Sequence, residues 1–217
     1  MTAIAVLRMY DLPEIRQATD AVWQAIAERL RAAGLADVPS SLARHIDHHE
    51  SWRRPELLLG QSCGYPALTG FKDALRIVAT PLYDAPGCDG TMHRSFIVVQ
   101  ASSQARSLAD LRGRRFALNS WDSNTGMNLP RLAFAPLAAH GCFLGEVVES
   151  GTHAASLACV AEGRADAASI DCVTHAHLAR HCPSLVAGTR VLASTAPSRS
   201  LPFVTARSTP GGTVTAL

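Results

Sequence analysis

The chain has 217 residues, 47% of them hydrophobic and 6% aromatic, and a formal net charge of +2. This is enough apolar chain to bury one large domain or two smaller ones, which excludes a disordered protein. The even charge balance and scattered basic residues exclude an electrostatic nucleic-acid surface; Arg112, Arg114 and Arg115 form the one short basic run and are expected to stay solvated beside a strand.

In chain order, residues 3–7 form a short continuous apolar run, as expected of a strand covered on both faces. Arg8 follows at once, so the start lacks the pattern of a secretory signal, and no apolar run approaches a membrane span. Asp11 and Glu14 have capping-box spacing with Pro13 between them. Ile15, Ala18, Val22, Ala25, Ile26, Leu30 and Ala33 then recur at helical period until Gly34. Strands are predicted at 57–61, 76–79, 96–99, 115–118, 147–149, 167–170 and 190–192, and helices at 132–140, 153–162 and 173–180. Strands alternating with helix-length segments imply βαβ units and a mainly parallel sheet, with ligands at the carboxyl ends of the strands. The turn-rich segments 61–66, 119–126 and 150–152, and Asp171, fall at those ends. Ser208, Thr209 and Pro210 look like a helix cap close to the last residue, from which a disordered or truncated end is expected.

Six cysteines (Cys63, Cys88, Cys142, Cys159, Cys172 and Cys182) contain no C-x-x-C pair, so neither a zinc ribbon nor a redox motif is indicated. Most are expected to be free and buried, with one disulfide left open. His177 and His181 are four apart on a predicted helix, and His45, His48 and His49 lie close together. No carboxylate or cysteine completes either set at a familiar spacing, so solvated faces are expected and neither a metal nor a cofactor is assigned.

The polar loop 119–126 ends where an apolar helix begins. A helix start leaves its first amides unpaired at the positive end of the dipole and so suits an anion, although serine, threonine and asparagine there also read as an ordinary cap. His153 stands at a later helix start, either as a hydrogen-bond donor to a ligand or satisfied by solvent. Asp171 is either the N-cap of the next helix or a ligand contact, two roles its two oxygens could share. Gln61 and Ser62 end a buried strand at the ligand-bearing edge and are candidate polar contacts.

Gln61 to Pro66, the loop 119–126 with Pro130 and Arg131, and Gly151, Thr152 and His153 followed by the run 162–171 together resemble the phosphate/phosphite/phosphonate substrate-binding proteins of ABC transporters. These belong to the type II periplasmic binding protein superfamily, and the resemblance spans roughly residues 3–207. It implies an α/β fold of two lobes, each a mainly parallel sheet flanked by helices, joined by two hinge strands, with a small anionic ligand enclosed between them. A polar run at 100–103 and a return near 193–197 place the first lobe at residues 1–99 plus 195–217 and the second at 100–194. The resemblance assigns Ser123, Asn124, Thr125 and Gly126 to the ligand oxyanion, His153 to its support, Asp171 to a ligand amino group, and Tyr10 and Tyr65 to the lining. For the two tyrosines the other reading is simple packing. Relatives usually carry serine where this chain has Thr125, and often an aromatic near His93.

The implied function is non-catalytic capture of a phosphonate-like anion, phosphite or phosphate for ABC-type uptake. The implied partners are the small anion and a transporter permease, with no nucleic acid; a monomer is expected, in the periplasm. Two alternatives stay open. One is a cytoplasmic binding or sensor module of the same fold, and the other a hydrolase using Cys63 as nucleophile on the turn after a strand.

Overall fold

A computed structural model describes residues 2–217. The elements in chain order are β1 (Ile4–Val6), α1 (Arg16–Ala32), α2 (His48–Ser51), β2 (Leu57–Gln61), α3 (Gly64–Leu68), β3 (Leu75–Ala79), β4 (Met92–His93), β5 (Ser95–Gln100), β6 (Phe116–Leu118), α4 (Leu129–Phe134), β7 (Val147–Glu149), α5 (His153–Ala161), β8 (Ala167–Asp171), α6 (Cys172–His181), α7 (Pro183–Ala187), β9 (Thr189–Ser194), β10 (Ser198–Arg199), β11 (Phe203–Ala206) and α8 (Gly211–Ala216). The described residues form two compact units, residues 2–81 with 200–217, and residues 82–199.

The first unit is built on a four-stranded sheet in the order β1-β2-β11-β3. β1 runs parallel to β2, and β11 is antiparallel to both β2 and β3, so only β11 is reversed. Every residue of β2 is buried, as a strand covered on both faces requires. One cluster packs Ala5, Leu7, Leu58 and Leu59 with Trp23, Ala27 and Leu30 of α1; a second packs Val6, Leu57 and Val204 with Trp52, Phe71 and Leu75. The buried stripe of α1 is therefore anchored on Trp23, while Ala18, Val22 and Ala25 of the predicted stripe are exposed. Trp23 has the largest apolar area on the helix, and burying it sets the rotation.

The predicted capping box at Asp11 does not form. The helix is entered through a 3-10 turn, Pro13–Ile15, without a side-chain cap. Asp11 instead accepts from Arg44 Nε at 2.6 Å and Nη2 at 3.0 Å, and Arg44 Nη1 reaches Asp20 at 2.7 Å. Gly34 closes α1 with φ at +91°, the left-handed position that glycine tolerates. The expected disordered end is also corrected: α8 forms, and Ala216 and Leu217 pack against the core beneath α1.

The second unit has a five-stranded sheet in the order β7-β6-β8-β5-β9. β6 is parallel to β7 and β8, whereas β5 is antiparallel to β8 and β9, so again one strand is reversed. β5 pairs along its length with two strands of this unit, so residues 82–99 group here rather than with the first lobe as the sequence boundary placed them. Ile97, Val99, Leu111, Phe116, Leu118 and Phe134 form its core, with Phe134 stacked on Phe143 at 4.8 Å. The helix predicted at 132–140 starts earlier and ends at Phe134, because Pro136 cannot donate a backbone hydrogen bond and the chain tightens into a 3-10 turn. Arg115 is not simply solvated. It donates to both oxygens of Asp166, at 3.2 and 3.1 Å, and to the carbonyl of Gly163 at 2.9 Å.

Arg44→Ala leaves Asp11, whose side chain is 6% exposed, without its partner. The substitution is expected to destabilise the first unit by about 2 kcal/mol, read as a lowered denaturation midpoint; an unchanged midpoint would show the triad to be dispensable.

Candidate functional site

β6 points its carboxyl end into the loop that carries the predicted anion cradle. Ser123 is extended (φ −71°, ψ 130°) and caps the next turn, its Oγ accepting from Gly126 N at 2.9 Å. The turn that follows, Asn124–Asn128, is π-helical: Asn128 N reaches back to the Ser123 carbonyl at 3.1 Å, with Met127 N on the same oxygen at 3.3 Å. A π turn widens the helix entrance and leaves its first amides without an intrahelical acceptor. Gly126 is required there. A Cβ built on it would lie 1.7 Å from Asn119 Oδ1, so no side chain fits between the turn and Asn119.

Two strands hold the turn from below. Ser95 Oγ of β5 and Ser169 Oγ of β8 both donate to the Thr125 carbonyl, at 2.9 and 2.6 Å. Thr125 Oγ1 lies 3.0 Å from His153 Nε2, and His153 Nδ1 lies 3.2 Å from the Ser169 carbonyl. A carbonyl only accepts, so Nδ1 carries the ring proton and, in the neutral ring, Nε2 accepts from the Thr125 hydroxyl. His153 is set at the head of α5 because Thr152 caps that helix, its Oγ1 accepting from Ala155 N at 3.0 Å. Asn124 Nδ2 donates to Ser198 Oγ at 3.1 Å. Ser123, Thr125 and Gly126 are buried, and His153 is half-buried.

Asp171 ends β8 and is the N-cap of α6: Oδ1 accepts from Val173 N at 2.9 Å and Thr174 N at 3.1 Å. Its Oδ2 lies 3.1 Å from Nδ1 of His93, an ion-pair distance whose angle is too poor for a well-aligned hydrogen bond. Burial pushes the Asp171 carboxyl up, but His93, His153 and the Thr174 amide together hold it below its ordinary value. Burial also pushes the His153 imidazole down, against the opposing pull of Asp171, so its neutral form is favoured.

His93 is the residue that the sequence did not mark as a site residue. It is fully buried, and its Nε2 has no hydrogen-bond partner among the described residues. Its link to Asp171 comes from strand register: Ser95 pairs with Asp171, and His93 precedes Ser95 by two. No local pattern signals a partner that far along the chain.

The four candidates of the first unit are placed differently. Tyr10 is buried after β1. Gln61 receives the Trp52 indole N–H on its carbonyl at 3.1 Å and donates from Nε2 to the Leu201 carbonyl at 3.3 Å. Ser62 is fully buried and bonds through its hydroxyl to the Cys63 carbonyl at 3.0 Å. Tyr65 is 41% exposed in the first turn of α3. Cys63 is the extended N-cap residue of that helix. His48 and His49 stack around Trp52 and Phe71.

An apolar groove of about 660 Å³ runs beside the cradle, lined by Leu118, Trp121, Met127, Pro130 and Phe143 among others, with Gly126 at its edge. Among the described residues no group of three or more His, Cys, Asp or Glu side chains gathers as a metal site, and no helix is long and apolar enough to cross a membrane.

Two α/β units, each with one reversed strand, and a hydroxyl-lined helix entrance are the features of a solute-binding protein. A family model described as an ABC-transporter, phosphonate, periplasmic substrate-binding protein matches residues 11–217, and the chain belongs to that family. Among solved structures it is similar to PhnD1 from Prochlorococcus marinus in complex with methylphosphonate, at 16% identity and TM-score 0.76 over 99% of this chain and 82% of that one. It is similar also to a binding-protein component of an ABC phosphonate transporter from Pseudomonas aeruginosa, at 14% identity and TM-score 0.73 over 99% and 72% of the two chains. The periplasmic VFT2 domain of BvgS from Bordetella pertussis follows at 19% identity and TM-score 0.63, over 99% and 84%. At these identities the likeness shows the fold, that of type II periplasmic binding proteins. No curated protein sequence matches the chain.

The depressed His153 and Asp171 make stability depend on pH in one direction. In both cases the unfolded state takes up the proton more readily, so the contribution is complete above the unfolded value and is lost as pH falls below it. For His153 that loss begins near pH 6.5, and for Asp171 near pH 4. The melting temperature is expected to fall between pH 7 and pH 5, and His153→Asn should flatten the slope; an equally steep slope in the variant would contradict the role given to His153. Gly126→Ala is expected to cost about 1–3 kcal/mol by overpacking, measured by chemical denaturation, and wild-type stability in that variant would mean that Asn119 moves aside freely.

Proposed function

We propose that this chain captures a small phosphonate-class oxyanion through the turn Asn124–Asn128 of its second unit and delivers it to an ABC permease. The observation that carries the reading is the buried π turn itself. Its first amides lack intrahelical acceptors, it has Ser123 and Thr125 hydroxyls beside it, and it is pinned by Ser95 and Ser169. Such an entrance offers several convergent donors and half a positive charge from the helix dipole, matching a tetrahedral oxyanion. Family membership over residues 11–217 supports the same ligand class, as does the likeness to a protein solved with methylphosphonate.

On this reading Ser123, Asn124, Thr125 and Gly126 hold the ligand oxygens, and binding turns the Thr125 hydroxyl proton from His153 Nε2 to the ligand, a protonated His153 then donating from Nε2 to Thr125 Oγ1. Asp171 meets an amino group on those ligands that carry one. Its carboxylate also caps α6 and faces His93. Tyr10, Tyr65, Gln61 and Ser62 are the contacts proposed from the first unit. The chain acts without catalysis, as a monomer in the periplasm, and does not bind nucleic acid.

Isothermal titration with methylphosphonate, 2-aminoethylphosphonate, phosphite and phosphate tests the proposal. Binding of at least one is expected, and Thr125→Val should weaken it roughly 10- to 100-fold through loss of one charge-assisted hydrogen bond. Asp171→Asn, which keeps a capping side chain, should weaken 2-aminoethylphosphonate while sparing methylphosphonate. If none of the four anions binds, the phosphonate reading fails; if Asp171→Asn weakens neither or both alike, Asp171 is a cap alone.

A further inference from the structure

Cys88 and Cys172 are 84 residues apart in sequence, yet their sulfurs lie 3.6 Å apart. Cys88 sits in a turn closed by its own amide on the Ala85 carbonyl at 2.9 Å, and Cys172 is the first residue of α6, directly after Asp171. Gly87 brings the two together. It has φ at +95°, and a Cβ built on it would lie 2.9 Å from Cys172 Cβ and 3.0 Å from Phe96 Cζ, so only glycine lets the turn approach the helix this closely. Both cysteines belong to the second unit, and Cys88 is half-buried while Cys172 is fully buried. This differs from a cysteine kept as a small hydrophobe, since two independent segments have been shaped to bring one sulfur against the other.

We propose that Cys88 and Cys172 are a disulfide-forming pair that ties the 85–89 turn to the start of α6. The oxidant is a low-molecular-weight disulfide such as oxidised glutathione. The Cys88 thiolate attacks one sulfur of that disulfide and expels one thiolate, giving a mixed disulfide. The Cys172 thiolate then attacks Cys88 Sγ, forming the protein disulfide and expelling the second thiolate. The protons lost by the two cysteines are taken up by the two leaving thiolates, and the oxidant gains two electrons. Burial pushes the Cys172 thiol up to about 12 and raises that of Cys88 as well, so thiolates are scarce in the folded chain and the bond closes most readily during folding. The closed bond would fix the helix start at which Asp171 caps α6 and faces His93. The proposal stands on the cysteine geometry alone and does not depend on which ligand the protein takes.

The test is to refold the full chain in a reduced/oxidised glutathione buffer, quench with acid, alkylate the free thiols and map peptides by mass spectrometry without reduction. The expected product is a peptide joining Cys88 to Cys172, two hydrogen masses below the sum of its parts. It should be absent from Cys88→Ser and retained in Cys142→Ser, whose mutated residue is exposed. Because the bond would close a long loop, reductant should lower the melting temperature of wild type by on the order of 10 °C and leave Cys88→Ser unmoved. Recovery of Cys88 and Cys172 on separate alkylated or glutathione-capped peptides from wild type would overturn the proposal, as would equal melting of the oxidised and reduced protein.

Discussion

The Thr125 carbonyl, held between the hydroxyls of Ser95 and Ser169, is the contact on which the candidate site depends. It fastens the π turn to two antiparallel strands whose register sets Ser95 opposite Asp171. With the carbonyl fixed, the Thr125 hydroxyl lies against His153 Nε2, while the other ring nitrogen is held by the Ser169 carbonyl. One residue of β8 thus holds both the turn and the histidine. Buried hydroxyls that are fully satisfied make the turn rigid, and rigid donors lose little entropy when an anion arrives.

The electrostatics follow from the same packing. The site contains a buried carboxylate, Asp171, held ionised by His93 and by two amides of α6. His153 is kept neutral by burial. The cradle therefore offers dipoles and hydroxyl donors in place of a fixed positive charge. For an anion this means that affinity must come from the number and alignment of hydrogen bonds, and each one removed should be felt.

Much of the fold was legible because the strands are short continuous apolar runs: β2 and β7 have the predicted bounds, and the other predicted strands differ at their ends by one or two residues. α5 and α6 were legible from the polar residues at their starts, Thr152 and Asp171, which cap them. The failures have particular causes. Asp11 and Glu14 have the spacing of a capping box, but Arg44, far along the chain, claims Asp11 through a contact that no local pattern contains. Pro136 cut short a helix whose apolar period continued past it. β11 was missed because its four residues follow a proline-containing loop and pair only with strands distant in sequence. In the site, Ser123, Thr125 and His153 stood out as polar residues at helix starts. Ser95, Ser169 and His93 did not, because a serine or histidine in a strand gains meaning only from the strand beside it.

A crystal structure of the chain with methylphosphonate bound tests the central claim most directly. The account predicts phosphonate oxygens within about 2.7–3.2 Å of the Ser123 and Thr125 hydroxyls and the first amides of the turn, with the Thr125 carbonyl still bonded to Ser95 and Ser169. A phosphonate held elsewhere, with the turn unoccupied, would contradict it.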